Sequence, residues 1–136
     1  MKYLLDTNIC IYLIKRNPPQ VLQQFQAQSV GEIGISAITV AELQFGVQKS
    51  QRITQNQRAL QQFLLPLVCV PFDRKATVVY GKIRAALKAQ GTPIGPLDIL
   101  IAAHALSLNT TLVTNNTREF SKVPDLQIID WVNGSS

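Results

Sequence analysis

The chain has 136 residues, 46% of them apolar, with thirteen Lys and Arg against eight Asp and Glu and a net charge of +5. That length supports one domain with its own core and is too short for two ordinary ones, so a single domain over residues 1–136 is expected. The two cysteines, Cys10 and Cys69, lie in apolar runs without a C-x-x-C pair or a histidine at ligand spacing, which excludes a zinc or dithiol motif and predicts two buried thiols.

In chain order, residues 3–5 read as a short buried strand and 8–15 as a helix stopped by Asn17-Pro18-Pro19. Pro19 suits the first turn of the next helix, where its missing N–H costs nothing, and Val21, Leu22 and Phe25 give that helix an apolar stripe. Residues 31–36 read as a second strand, and from Thr39 the period turns helical, with Leu43 and Val47 on one face. The glutamine-rich stretch 48–57 suits a loop or an exposed helix end; a helix over 57–64 follows, and Pro66 ends it. Residues 68–70 form a third strand. Asp73 caps a long helix through Gln90, whose Val79, Ile83 and Leu87 step by four, and Gly91 closes it. A stiff turn over 91–96 feeds an apolar helix over 97–108, and 111–113 and 127–129 supply two more strands.

Short, continuously apolar strands alternating with helices predict an α/β fold, a mostly parallel central sheet covered on both faces as a three-layer α/β/α sandwich. Asp6 stands where the apolar region of a signal peptide would have to continue. The longest apolar stretch, 99–108, is broken by His104 and Ser107 and falls short of the ~18 residues of a membrane span. A cytoplasmic protein without membrane contact is therefore expected.

In parallel sheets, ligands bind beyond the carboxyl ends of the strands. Asp6 directly follows the first strand, Glu42 lies about a turn beyond the second, Thr114-Asn115-Asn116 follows the fourth, and Asp98 opens the helix leading into that fourth strand. Each acid has a local explanation: Asp6 as a helix N-cap, Glu42 as the glutamate of a Thr39-x-x-Glu42 capping box, Asp98 as a first-turn acid answering the helix dipole. Capping treats them separately, and leaves open why all three stand where an apolar run turns into a helix. Asp98 is flanked by Leu97, Ile99, Leu100 and Ile101, where an unpaired charge is costly. If the acids meet, their repulsion calls for a cation, and clustered carboxylate oxygens hold Mg²⁺ or Mn²⁺ for phosphoryl chemistry. The pattern points to a metal-dependent nuclease.

The charge balance agrees. With four of the eight acids in one site, the remaining surface carries thirteen bases against four acids, which suits a polyanionic substrate. Arg84 and Lys88, one helical turn apart, are candidates for phosphate contacts, with a solvated helix face as the competing reading. His104, six residues past Asp98, is turned away from it and reads as a structural or surface histidine. No Ser-His-Asp set is present to work without a metal.

Four blocks now stand in order along nearly the whole chain: Leu4-Leu5-Asp6-Thr7-Asn8; Val40-Ala41-Glu42-Leu43-x-x-Gly46; Gly95-Pro96-x-Asp98-x-x-Ile101-Ala102-Ala103-x-Ala105; and Leu112-Val113-Thr114-Asn115-Asn116-x-Arg118-Glu119-Phe120. Together they resemble the PIN-domain ribonucleases of the VapC type. The resemblance implies an α/β/α sandwich and a Mg²⁺- or Mn²⁺-dependent endoribonuclease, the toxin of a toxin–antitoxin pair. It implies Asp6, Glu42 and Asp98 as the first three metal-binding acids. Where many relatives carry a fourth aspartate this chain has Asn116, so Glu119 becomes the fourth carboxylate and Asn116 an outer group, with Thr7, Asn8 and Thr114 as donors that orient carboxylates or water. The resemblance further implies a VapB-type antitoxin partner, structured RNA such as tRNA as substrate, and a homodimer formed through helix faces between Gln20 and Leu64. The competing expectation is a PIN-like module that binds RNA or a partner without cutting.

Overall fold

The structure, a computed structural model, describes residues 1–134. Its frame is five short parallel strands in the order β3-β2-β1-β4-β5: β1 is Tyr3–Leu5, β2 Ile33–Ser36, β3 Val68–Val70, β4 Thr111–Val113 and β5 Ile128–Ile129. In the central strand, Leu4 lies between Gly34 and Leu112, and Leu5 between Ile35 and Val113. Because successive strand residues point to opposite faces, these pairs seed two cores. Leu4 and Leu112 pack with Ile83, Leu87, Ile99 and Phe120; Leu5, Ile35 and Val113 pack with Ile9, Leu13, Leu43 and Leu60.

The helices supply the outer layers. On the Leu5 side lie α1 (Thr7–Lys15), α2 (Pro19–Gln26), α3 (Ala37–Gln48) and α4 (Ile53–Leu64), and on the Leu4 side α5 (Arg74–Gln90), α6 (Pro96–Ser107) and α7 (Thr117–Phe120). This is the expected three-layer sandwich around a parallel sheet. Local chemistry sets most of the boundaries. Pro19 opens α2, the Asp73 carboxylate accepts from the Ala76 N–H at 3.0 Å to start α5, and Gly91 ends α5 at φ 67°. No helix among the described residues is long and apolar enough to cross a membrane.

Three expectations need correction. The fourth helix begins at Ile53 rather than at residue 57, and its polar first turns face solvent because only Leu60 is buried along it. Cys69 is exposed, unlike the buried Cys10, because β3 is an edge strand covered less completely than the centre; its neighbour Val68 is likewise exposed.

The third correction bears on function. Helix α3 starts at Ala37, and its cap is Ser36, whose Oγ accepts from the Ile38 N–H at 3.0 Å. Thr39 therefore sits inside the first turn, and Glu42 is a turn too late for a capping box. The Thr39 hydroxyl is buried with no hydrogen-bond partner among the described residues. Thr39→Val, which replaces that hydroxyl with a methyl of similar size, is expected to leave stability unchanged or raise it by up to ~1 kcal/mol in urea unfolding. A loss of comparable size would return Thr39 to a capping role.

Candidate active site

The carboxyl edge of β1 and β4 carries the first functional group. Asp6 leaves β1 as the N-cap of α1, and both of its oxygens are engaged: Oδ1 accepts from the Ile9 N–H at 2.9 Å and Oδ2 from the Thr114 hydroxyl at 2.5 Å. Thr114 Oγ1 in turn accepts from the Asn116 N–H at 2.9 Å, so the end of β4 fixes the orientation of a carboxylate at the end of β1. The capping role is real for Asp6, and it coexists with burial: the residue is only 6% exposed. Burial first of all, then the charges of Asp98 and Glu42, push its carboxyl up to about 6, against the pull of the Thr114 and Ile9 bonds.

Glu42, on the second turn of α3, is half-buried and accepts from the Thr7 hydroxyl at 2.8 Å through Oε1, leaving Oε2 without that constraint. Asp98, in the first turn of α6, has its carboxyl raised by burial, then by Glu42 and by Glu119. Gly95 borders it, and a Cβ there would stand in ordinary contact with Asp98 Oδ2 at 3.6 Å. Asp6, Glu42 and Asp98 thus act on one another electrostatically although they come from separate segments, and Glu119 acts on Asp98. Glu119 differs from the others because it already has a cation, Lys122 Nζ at 3.2 Å. Asn8 lies exposed on the first turn of α1, and the Asn116 side chain does not cap α7.

Clustered hard oxygen ligands with no cation among the first three fit Mg²⁺ or Mn²⁺ and disfavour softer metals. The fit is an open one. Among the described residues, no three acidic, histidine or cysteine side chains are gathered tightly enough to hold an ion as they stand. Two carboxylates with water completing the shell is the arrangement Mg²⁺ ordinarily accepts.

Beside the acids, an apolar groove of about 310 Å³ runs between α1, α3 and α4 from Thr7 and Glu42 to Lys15. On the other flank, Arg84 and Lys88 border a second groove with Thr92, Ile94 and Ile99, the residue after Asp98. Arg84 donates to the Tyr80 hydroxyl at 2.8 Å and lies over its ring, while Lys88 is exposed.

His104 is fully buried, not at the surface: its Nδ1 meets Ser36 Oγ at 2.8 Å, and its ring packs edge-on to Phe72. Burial lowers its pKa, partly offset by Asp73 and by the Pro71 carbonyl. Ser36 escaped the sequence reading, although a serine between an apolar strand and a helix is a cap signal. The Asn115 side chain, which donates to the Tyr12 hydroxyl at 3.1 Å, had no such signal.

A five-stranded parallel sheet with a cluster of acids at its carboxyl edge defines the class. The chain belongs to the PIN domain family, whose model matches residues 3–126. Its similarity runs nearly the full length of proteins named VapC ribonucleases. It is 44% identical to ribonuclease VapC2 of Rickettsia felis, over 96% of this chain and 98% of that one. It is 42% identical to the tRNA(fMet)-specific endonuclease VapC of Shigella flexneri, with the same coverage. Among solved structures it resembles VapBC2 of Rickettsia felis bound to a promoter DNA fragment, with a TM-score of 0.91 and 43% identity over 96% of this chain and 99% of that one. It also resembles DNA-bound VapBC of Salmonella typhimurium, with a TM-score of 0.92 and 40% identity over 96% and 98%.

The pH dependence of the metal-free protein follows from Asp6. Its carboxyl titrates at about 6 when folded against 3.8 for the unfolded group, so folding favours the protonated form. Below pH 4 the acid is neutral in both states and costs nothing; above pH 6 it is ionised in both and the full burial cost applies. Stability in EDTA should therefore fall as pH rises from about 4 to about 6, by up to roughly 3 kcal/mol, with Asp98 acting in the same direction. Melting curves across that window should show the fall, and Asp6→Asn should flatten it.

Proposed function

We propose that this protein is a Mg²⁺- or Mn²⁺-dependent endoribonuclease, the toxin of a toxin–antitoxin pair, held in check by a VapB-type antitoxin. The observation that carries the reading is the convergence of Asp6, Glu42 and Asp98 at one sheet edge without a basic partner among the described residues. A module that only bound RNA would gain nothing from repelling charges facing a polyanion.

In this reading Asp6, Glu42 and Asp98 hold the ion, with Glu119 nearer a second, weaker position because of Lys122. A divalent ion there would supply Lewis acidity, making the attacking water more acidic and offsetting charge that gathers at the phosphate. The chain's own groups do the positioning. Thr114 and the Ile9 N–H fix the Asp6 carboxylate, and Thr7 fixes one oxygen of Glu42. Asn8 and Asn116 stand at the same edge as further donors toward water or substrate, and Arg84 and Lys88 meet phosphates of the strand leading away from the cut.

The relatives named VapC endonucleases include ones specific for tRNA(fMet), and solved neighbours are VapBC complexes. Structured RNA such as tRNA is the substrate we assign, with a cognate antitoxin as partner. A homodimer would cover exposed apolar side chains such as Phe45 and Ile53.

Expression of the chain alone should arrest growth, and its antitoxin should relieve the arrest; harmless overproduction of folded protein contradicts the toxin reading. Cleavage should require Mg²⁺ or Mn²⁺ and leave 5′-phosphate and 3′-hydroxyl ends. Undiminished cutting in EDTA, or 2′,3′-cyclic phosphate ends, would overturn the metal mechanism.

Glu42→Gln keeps the shape and the Thr7 bond while removing the charge. It should lower cleavage by about a hundredfold or more while leaving the metal-free protein as stable as wild type. Near wild-type cutting by this variant would remove Glu42 from the site.

A further inference from the structure

The acids that must act together sit on two different helices, and one buried polar contact joins those helices. Ser36 ends β2 and caps α3; His104 lies late in α6. Their side chains meet at 2.8 Å across 68 residues of sequence, with Ser36 wholly buried and His104 1% exposed.

Ser36 Oγ accepts from the Ile38 N–H and has room to accept once more, but its one proton finds a partner at this contact only if Ser36 donates to His104 Nδ1, which is the direction we assign. Nδ1 is then the acceptor, and the ring proton resides on Nε2. The serine thus links the first turn of α3 to the neutral imidazole of α6, and a side chain without an acceptor at that point would leave its hydroxyl proton unpaired in a dry site.

The lever arms make this contact matter for the acids. Glu42 lies six residues beyond Ser36 on α3, and Asp98 six residues before His104 on α6, each about 9 Å of helix axis from the contact. Helix α3 runs away from the contact and α6 runs toward it, and because Glu42 raises the Asp98 carboxyl the two carboxylates lie to the same side of it. Ile38 of α3 also packs into the α6 core, so the two helices meet near this point. A small change of angle there is magnified at the acids. Metal ligands tolerate errors of only about 0.2 Å, and a displacement of about 1 Å at a reacting centre costs up to a hundredfold in rate.

We propose that the Ser36–His104 hydrogen bond is a clamp that sets the separation of the Glu42 and Asp98 carboxylates, making both residues positioning residues for metal binding. This rests on the reading of those acids as metal ligands. Neither residue touches substrate or ion.

The test compares His104→Leu, which keeps bulk but offers no acceptor, with His104→Asn, whose amide oxygen reaches near the place of Nδ1. Two quantities are read: the rise in melting temperature caused by Mn²⁺, and kcat and KM for RNA cleavage. In the leucine variant the Mn²⁺-dependent rise should fall by half or more and kcat about tenfold, with KM within about twofold, and asparagine should restore most of both. Ser36→Ala should show the same loss of Mn²⁺ response, and the double variant should be no worse than either single one. If His104→Leu fails to fold, Ser36→Ala carries the test.

A folded leucine or alanine variant with the wild-type Mn²⁺ response and kcat would overturn the clamp, as would equal melting losses with and without Mn²⁺. A wild-type protein that shows no Mn²⁺ response at all would overturn the metal reading, and the clamp with it.

Discussion

Carboxylates brought together at one edge of a parallel sheet repel one another, and the surrounding structure is organised to hold them there. Asp6 is the clearest case. It is buried at the end of the central strand, its carboxyl is pushed up to about 6, and it stays in place because the first turn of α1 and the hydroxyl of Thr114 each engage one oxygen. Glu42 is tied to Thr7, the first residue of the helix that Asp6 caps. The polar contacts at the site thus run from acid to hydroxyl to backbone, and the hydroxyls offer donors where a lysine or arginine would neutralise the charge. Asp6, Glu42 and Asp98 have no basic side chain paired with them among the described residues.

That arrangement has a cost borne by the two cores. A group whose pKa rises by about two units on folding opposes folding by roughly 3 kcal/mol at neutral pH, a large part of the 5–15 kcal/mol that ordinary domains retain. The apolar layers on both faces of the sheet offset it, with Leu4 and Leu112 on one side and Leu5, Ile35 and Val113 on the other all inaccessible to solvent. A bound cation would remove the same penalty, so metal affinity and stability are two readings of one interaction.

The strands and most helices were legible because their signals are local: apolar triplets for β1 and β4, Pro19 and Gly91 as stops and starts, the four-residue steps of α5. The acids were legible as a set because each falls at a junction that a parallel sheet gathers to one edge. What the sequence hid depends on packing between distant segments. Cys69 lies in a strand as apolar as the others, and only its place at the sheet edge exposes it. Thr39-x-x-Glu42 has the form of a capping box, but Ser36 starts the helix earlier and leaves Glu42 free for Thr7. His104 carries no sign in the sequence of its bond to Ser36, because the two meet only when β2 and α6 pack.

The most direct test of the account is the titration of the Asp6 carboxyl by carbon NMR, with and without Mg²⁺. Without the ion the account predicts a midpoint near 6, and with it a midpoint moved below the usual carboxylate range. An ordinary midpoint near 4 that Mg²⁺ leaves unmoved would contradict the claim that these acids are held together for a cation.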